Sequence, residues 1–140
     1  MQDHPHDHKK PIKKSALAVF FLCFAVLWIG GLTAGITAAA CQKERYYGAT
    51  KLRFCNLSYA VGSPFDLLAG ERAKRSIIHL ERGIAYAQLR ELGKAQAAFV
   101  KALEDAVANG GHRSHLYGRM NQIADPAMQE VWQQLIVPDR

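Results

Sequence analysis

Cysteine and histidine are the residues of this 140-residue chain whose side chains could carry covalent or metal chemistry. Cys41 and Cys55 have no CxxC partner and no neighbouring histidine, which argues against a zinc site or a redox-active dithiol. In an oxidising compartment a bridge between them would close a loop of about 15 residues and contribute roughly 3 kcal/mol. We therefore predict a structural disulfide between Cys41 and Cys55, and a packing role for Cys23, which lies in an apolar run.

The six histidines do not form a pattern typical of a metal centre or an active site. The segment DHPHDH brings His4, His6 and His8 beside carboxylates, but a short polar tail containing proline has no fixed ligand geometry. His112 and His115 are separated by two residues and have no carboxylate or cysteine beside them. The chain also lacks GxSxG, GxxxxGK[ST] and HExxH motifs. We predict no metal, no cofactor, no small-molecule substrate and no enzymatic activity.

The longest apolar stretch runs from Ser15 to Ala40 without a charged residue. As a helix it would be about 39 Å long, whereas the hydrocarbon core of a bilayer is about 30 Å thick. The stretch therefore predicts an uncleaved transmembrane helix that acts as a signal anchor. Two alternatives remain, a cleaved signal peptide with small residues at Ala38 and Ala40, and a lipoprotein acceptor site at Cys41.

The net charge of +6 indicates an orientation in the membrane and not a nucleic-acid partner. The lysines of the KKPIKK segment, directly before the apolar stretch, favour a cytoplasmic N-terminus, although several basic residues also follow the stretch. Beyond residue 41 the basic residues are scattered, whereas a nucleic-acid binder would concentrate them in a stripe. We predict a single-pass protein of the bacterial inner membrane with a periplasmic C-terminal domain, in contact with the lipid bilayer and with protein partners.

Helical periodicity dominates the C-terminal part of the chain. Ser63 followed by Pro64 predicts a helix start, and Asn109 with the two following glycines predicts a helix stop. No segment alternates convincingly with the period of a strand, so the predicted fold class is all-α. The predicted division comprises a cytosolic tail 1–14, a transmembrane helix 15–40, a juxtamembrane loop 41–63 that the disulfide would close, and a helical domain 64–140.

Two helices of this domain resemble a single tetratricopeptide repeat from Ser76 to Asn109. The first carries its G-x-A-Y pattern and the second its A-x3-F-x2-A pattern, at Gly83, Ala85, Tyr86, Ala95, Phe99 and Ala102. The sequence departs from the family pattern at His79, Arg82 and Val107. The resemblance implies a helical hairpin that needs neighbours to bury its faces. We expect them from a helix beginning at Pro64 and from a capping hairpin over residues 112–124 and 127–136.

The resemblance also implies a partner-binding groove lined by the first helix of the repeat. Carried onto this chain, the groove residues are apolar with a polar edge: Ile77, Leu80, Ile84, Ala87 and Gln88. Such a surface suits an apolar helix or an extended peptide, unless the flanking helices of the chain fill it.

The chain as a whole is thus predicted to be a membrane-anchored protein–protein interaction module, a scaffold or accessory subunit of an envelope complex. The alternatives are a small metal-binding or enzymatic exported protein, and a cleaved or lipidated secreted protein with the same domain.

Overall fold

The computed structural model describes residues 12–69, 72–108, 112–123 and 125–136. These residues form six α-helices and no strand, so the predicted all-α class is confirmed for them. The helices are α1 (Ile12–Gln42), α2 (Gly48–Ala69), α3 (Arg72–Gln88), α4 (Leu92–Val107), α5 (Ser114–Asn121) and α6 (Pro126–Ile136).

Helix α1 has two parts with different surroundings. Its large apolar side chains from Leu17 to Ile36 are between 51% and 69% exposed, so no other part of the described chain covers them. Towards its C-terminal end Thr37 and Cys41 are buried, and Ala38 packs against the same cluster. The segment Ala16–Gln42 is long and apolar enough to cross a membrane, as a signal sequence near an N-terminus also can be.

The predicted juxtamembrane loop 41–63 is wrong over most of its length, because α2 begins at Gly48. Residues 48–63 are helical, and Pro64 lies inside α2 instead of at a helix start. A proline at the first helical position and one within a helix look alike in sequence, because only tertiary packing decides between them. Here the packing comes from Cys55 and Ser58, which are both buried.

Helices α1, α2 and α3 run alternately up and down. The α1–α2 pair is closed by Cys41 and Cys55, whereas the α2–α3 pair is tied at both ends. At one end the Gly48 amide donates to Gln88 Oε1 over 2.8 Å, and at the other Arg75 donates to the Ser63 carbonyl. The start of α3 therefore lies beside the C-terminal half of α2 and the end of α3 lies beside its start.

The main core lies between α3 and α4 and is covered by α5 and α6. Phe99 is fully buried and makes an edge-to-face contact with Trp132, their ring centroids 5.5 Å apart. The predicted capping hairpin does cover this core, because Leu116, Met120, Ile123, Val131 and Trp132 all belong to it or pack against it. Leu135 and Ile136, the last apolar residues of the predicted capping hairpin, lie outside the side chains that the structure describes. Helix α5 is shorter than the predicted 112–124, and α6 begins one residue before the predicted start at 127.

Candidate partner-binding site

The five predicted groove residues differ in exposure. Leu80, Ile84 and Ala87 are 0%, 2% and 4% exposed, and they belong to the main core. Ile77 and Gln88 are half-buried at the two ends of this face of α3. The Gln88 side chain is already engaged, because its Oε1 accepts the Gly48 amide. Most of the predicted groove is therefore occupied by the chain itself, and its role in binding a partner stays a prediction.

A small cavity remains where this face of α3 meets its neighbours. It has a volume of about 190 Å³ and is lined by eight residues: Glu44, Tyr46, Lys51, Ile84, Gln88, Arg119, Gln122 and Ile123. Its lining combines charged and amide groups with few apolar ones, in contrast to the apolar groove that the sequence predicts. At this size it suits a small polar group better than a peptide helix.

A charge network lies beside this cavity. The carboxylate of Glu81, which is 0% exposed, accepts a hydrogen bond from Arg119 Nε at 2.6 Å, and Lys51 Nζ lies 2.6 Å from its other oxygen. The Lys51–Glu81 approach is an ion pair without hydrogen-bond geometry at Oε2. Arg119 also donates to Glu44, whose side chain is 77% exposed, over 3.0 Å. The network joins α2, α3, α5 and the turn after α1 in one structural unit.

The position of Arg119 affects its acidity. Burial alone would lower the pKa of Arg119, but the hydrogen bond and the charge of Glu81, together with those of Glu44, outweigh burial and raise the pKa. Arg119 thus remains a cation at any physiological pH, and Glu81 keeps two cationic partners.

A second depression lies between α3 and α4, beside His79. It measures about 360 Å³ and is lined by His79, Arg82, Tyr86, Lys94, Ala97, Ala98 and Lys101. His79 is 5% exposed, and burial followed by the charge of Arg82 lowers its pKa from 6.5 to about 4. Asp105, 3.5 Å from Nε2, acts in the opposite direction and is too weak to offset them. His79 is therefore neutral near pH 7.

The cysteine prediction agrees with the geometry. The sulfur atoms of Cys41 and Cys55 lie at disulfide distance, 2.08 Å apart, and both residues are fully buried between α1 and α2. Cys23 is free and exposed on α1, not packed within the chain.

The cysteine pair yields the first testable prediction. Protein isolated from native membranes should show Cys41 linked to Cys55 by non-reducing peptide mass spectrometry, with Cys23 as the alkylated thiol. Replacing both cysteines with serine should lower the free energy of unfolding by roughly 3 kcal/mol, because the unfolded chain regains its loop entropy. A Cys23→Ser variant is the matched control. Two freely alkylated thiols at 41 and 55 would contradict the prediction.

The described residues contain no group of three or more His, Cys, Asp or Glu side chains that could hold a metal ion. His112 is exposed, and His115 Nε2 lies 2.8 Å from the Ser76 hydroxyl. The tail histidines His4 and His6 lie, with His8, outside the described residues.

The sequence did not indicate the Lys51–Glu81–Arg119 network. A lysine in the predicted loop, a glutamate in the first repeat helix and an arginine in the capping hairpin are separated by 30 and 38 residues. Each reads as a solvated surface charge on its own helix. No local pattern could have paired them, because the pairing depends on how α2 and α5 pack on α3.

Comparison of the chain with models of known protein families, with curated proteins and with solved structures finds no match. The described residues therefore define an all-helical protein with one N-terminal apolar helix long enough to cross a membrane.

Proposed function

We propose that this protein is a membrane-anchored protein–protein interaction module, a scaffold or accessory subunit of a bacterial envelope complex. The observation that carries the proposal is the two-part environment of α1. Its first two thirds present a continuous apolar surface, whereas its last turns are packed into a small helical domain. A helix with this pattern anchors a folded domain directly at the bilayer surface.

An uncleaved anchor is favoured over a cleaved or lipidated N-terminus. Cleavage before Cys41 would remove Thr37, which is 6% exposed, and Ala38, which packs on the cluster containing both cysteines. The mature domain would then expose the α2 surface that these residues cover. The positive-inside rule adds the orientation, with the N-terminus in the cytoplasm and the helical domain in the periplasm.

The α3–α4 hairpin supports the resemblance to a tetratricopeptide repeat. Ala95 and Ala102 are fully buried, as the family pattern expects of small residues between two closely packed helices. Gly83 faces the Phe99 ring so closely that a Cβ atom at residue 83 would lie 2.3 Å from the ring carbons. Hairpins of the family that it resembles present surfaces to protein partners, which adds an interaction role to the anchor that α1 supports.

The partner surface that we propose lies at the end of the domain far from the apolar part of α1. Three large apolar side chains are exposed there, Tyr47 at 63%, Leu89 at 38% and Leu92 at 46%. They belong to one end of the molecule, because Leu89 packs 3.2 Å from the Cβ position of Gly48. Exposed aromatic and aliphatic side chains of this kind are typical anchors of protein interfaces.

Affinity purification of the tagged full chain from membranes in mild detergent tests the partner surface. A double variant, Tyr47→Glu with Leu92→Glu, should lose the partners that the unaltered protein captures, because charges replace its apolar anchors. Val100→Glu, at a 40% exposed site of α4, is the matched control and should retain them. Capture of the same partners by the double variant would exclude this end of the domain as the binding surface.

Membrane extraction tests the anchor itself. The protein should remain in the pellet after alkaline carbonate treatment, with an intact N-terminus by mass spectrometry, and protease added to spheroplasts should digest the C-terminal domain. A mature chain beginning at Cys41 would contradict the anchor, and a protected domain would contradict the orientation.

A further inference from the structure

Arg82 of α3 is a half-buried cation that forms no ion pair with a carboxylate in the described part of the chain. Its Nη1 donates to His79 Nδ1 over 3.4 Å, and its guanidinium lies over the Tyr59 ring, 5.2 Å from the centroid. Its Nε is buried and has no hydrogen-bond partner among the described residues. A cation that is withdrawn from water without a counter-charge carries a desolvation cost, so Arg82 marks a place where a bound anion would be stabilised.

Arg82 lies in the wall of the depression of about 360 Å³ between α3 and α4. Two lysines of α4, Lys94 and Lys101, line the same depression and are separated by two helical turns, about 10 Å along the helix. The lining between them consists of Ala97 and Ala98, whose small side chains leave the space open. Among the described residues no carboxylate lines this depression, which therefore presents three cations and no anion of its own.

The carboxylates beside the two lysines stand outside the lining and hold them only loosely. Glu91 pairs with Lys94, and Glu104 pairs with Lys101 at 3.3 Å. Lys101 also lies 3.5 Å from Asp105. The lysine side chains are 66% and 50% exposed, and solvated pairs within one helix contribute little to stability. Both ammonium groups can therefore turn towards a bound anion at little cost.

His79 and Tyr86 complete the wall with neutral polar groups. Because Arg82 donates to Nδ1 of His79, the proton of the neutral ring belongs on Nε2. This Nε2 is buried and has no hydrogen-bond partner among the described residues, although Asp105 lies 3.5 Å away. Tyr86 is half-buried, with its ring centroid 5.7 Å from the Lys94 ammonium. The wall thus combines cations with a neutral donor and an aromatic ring.

We propose that the depression between α3 and α4 binds a small organic polyanion, whose phosphate or carboxylate groups pair with Arg82, Lys94 and Lys101. Its volume lies in the range of small-molecule sites. The distance between the lysines favours a ligand with more than one anionic group, and the bound ligand gives Arg82 the counter-charge that the described chain does not supply. The role is binding and not catalysis. The site is built from α3 and α4 and does not depend on the proposed anchor or partner surface.

Isothermal titration calorimetry of the detergent-solubilised full chain tests the site, with pyrophosphate and citrate as probes at constant ionic strength. Arg82→Gln should weaken binding of the probe by about tenfold or more, because the guanidinium supplies charge-assisted hydrogen bonds. Arg53→Gln, at an exposed site of α2 outside the depression, is the matched control and should bind as the unaltered protein does. Tighter binding of pyrophosphate assigns a phosphorylated ligand, and tighter binding of citrate assigns a polycarboxylate. Failure of both probes to bind, or equal affinity in Arg82→Gln, would overturn the proposal.

A second variant keeps the test independent of any folding defect in Arg82→Gln. Lys94→Gln with Lys101→Gln changes two exposed side chains and leaves the core intact. Pyrophosphate or citrate should raise the thermal unfolding midpoint of the unaltered protein, because a ligand of the folded state stabilises it, and should raise that of the double variant clearly less. Lys43→Gln with Arg53→Gln removes the same charge at exposed sites outside the depression and should respond like the unaltered protein. An equal rise in all three proteins would show a general salt effect and overturn the site.

Discussion

Replacement of Glu81 by leucine should lower the free energy of unfolding by about 3–5 kcal/mol, because the change leaves the Lys51 ammonium buried without its counter-charge. Lys51 is 2% exposed, so water cannot take over the role of the carboxylate without partial unfolding. Guanidinium unfolding of the detergent-solubilised full chain, followed by near-ultraviolet circular dichroism, measures the effect.

Two further variants separate the buried charge from the lost packing. Lys51→Met combined with Glu81→Leu removes both members of the pair, and its stability should return towards that of the unaltered protein. Glu44→Gln removes a carboxylate that is 77% exposed and should cost less than about 1 kcal/mol. If the double variant is as unstable as Glu81→Leu alone, the uncompensated charge of Lys51 is not the cause.

The features that sequence could predict are those in which one short segment contains the whole signal. The apolar run of α1 needs nothing but its own composition, and the spacing of Ala95, Phe99 and Ala102 identifies the buried face of α4. The Cys41–Cys55 pairing could be predicted for a related reason, since a loop of that size closes easily and the third cysteine lies in the apolar run.

The features that sequence could not predict depend on contacts between distant segments. Helix α2 continues through Pro64 because its face packs on α1 and α3, whereas Ser63-Pro64 alone indicates a helix start. The groove prediction met the same limit. With one recognisable repeat, Leu80 and Ile84 could line a free surface or a core, and packing by the rest of the chain buries them. The fold class was therefore predictable, but the arrangement that decides which surface remains open was not.

Truncation of Phe99 to alanine should lower the free energy of unfolding by about 3–5 kcal/mol. The ring is fully buried, and it contacts Gly83 of α3 and the Trp132 ring of α6, so its removal opens a cavity that both neighbours line. Gly83→Ala should also destabilise, by about 1–3 kcal/mol, because its Cβ atom would lie 2.3 Å from the Phe99 ring carbons. Chemical unfolding of both single variants in the detergent-solubilised chain measures these losses.

The double variant Gly83→Ala with Phe99→Ala decides whether the two effects share one contact. The new methyl group would enter space that the ring has vacated, so the combined loss should be smaller than the sum of the single losses by more than about 0.5 kcal/mol. Gly93→Ala is the matched control in the same hairpin, because nothing lies within 4 Å of its Cβ position, and it should be neutral or stabilise α4 by up to about 1 kcal/mol. Strict additivity of the two losses would mean that Gly83 and Phe99 are not in contact, and the close packing of α3 on α4 would then be wrong.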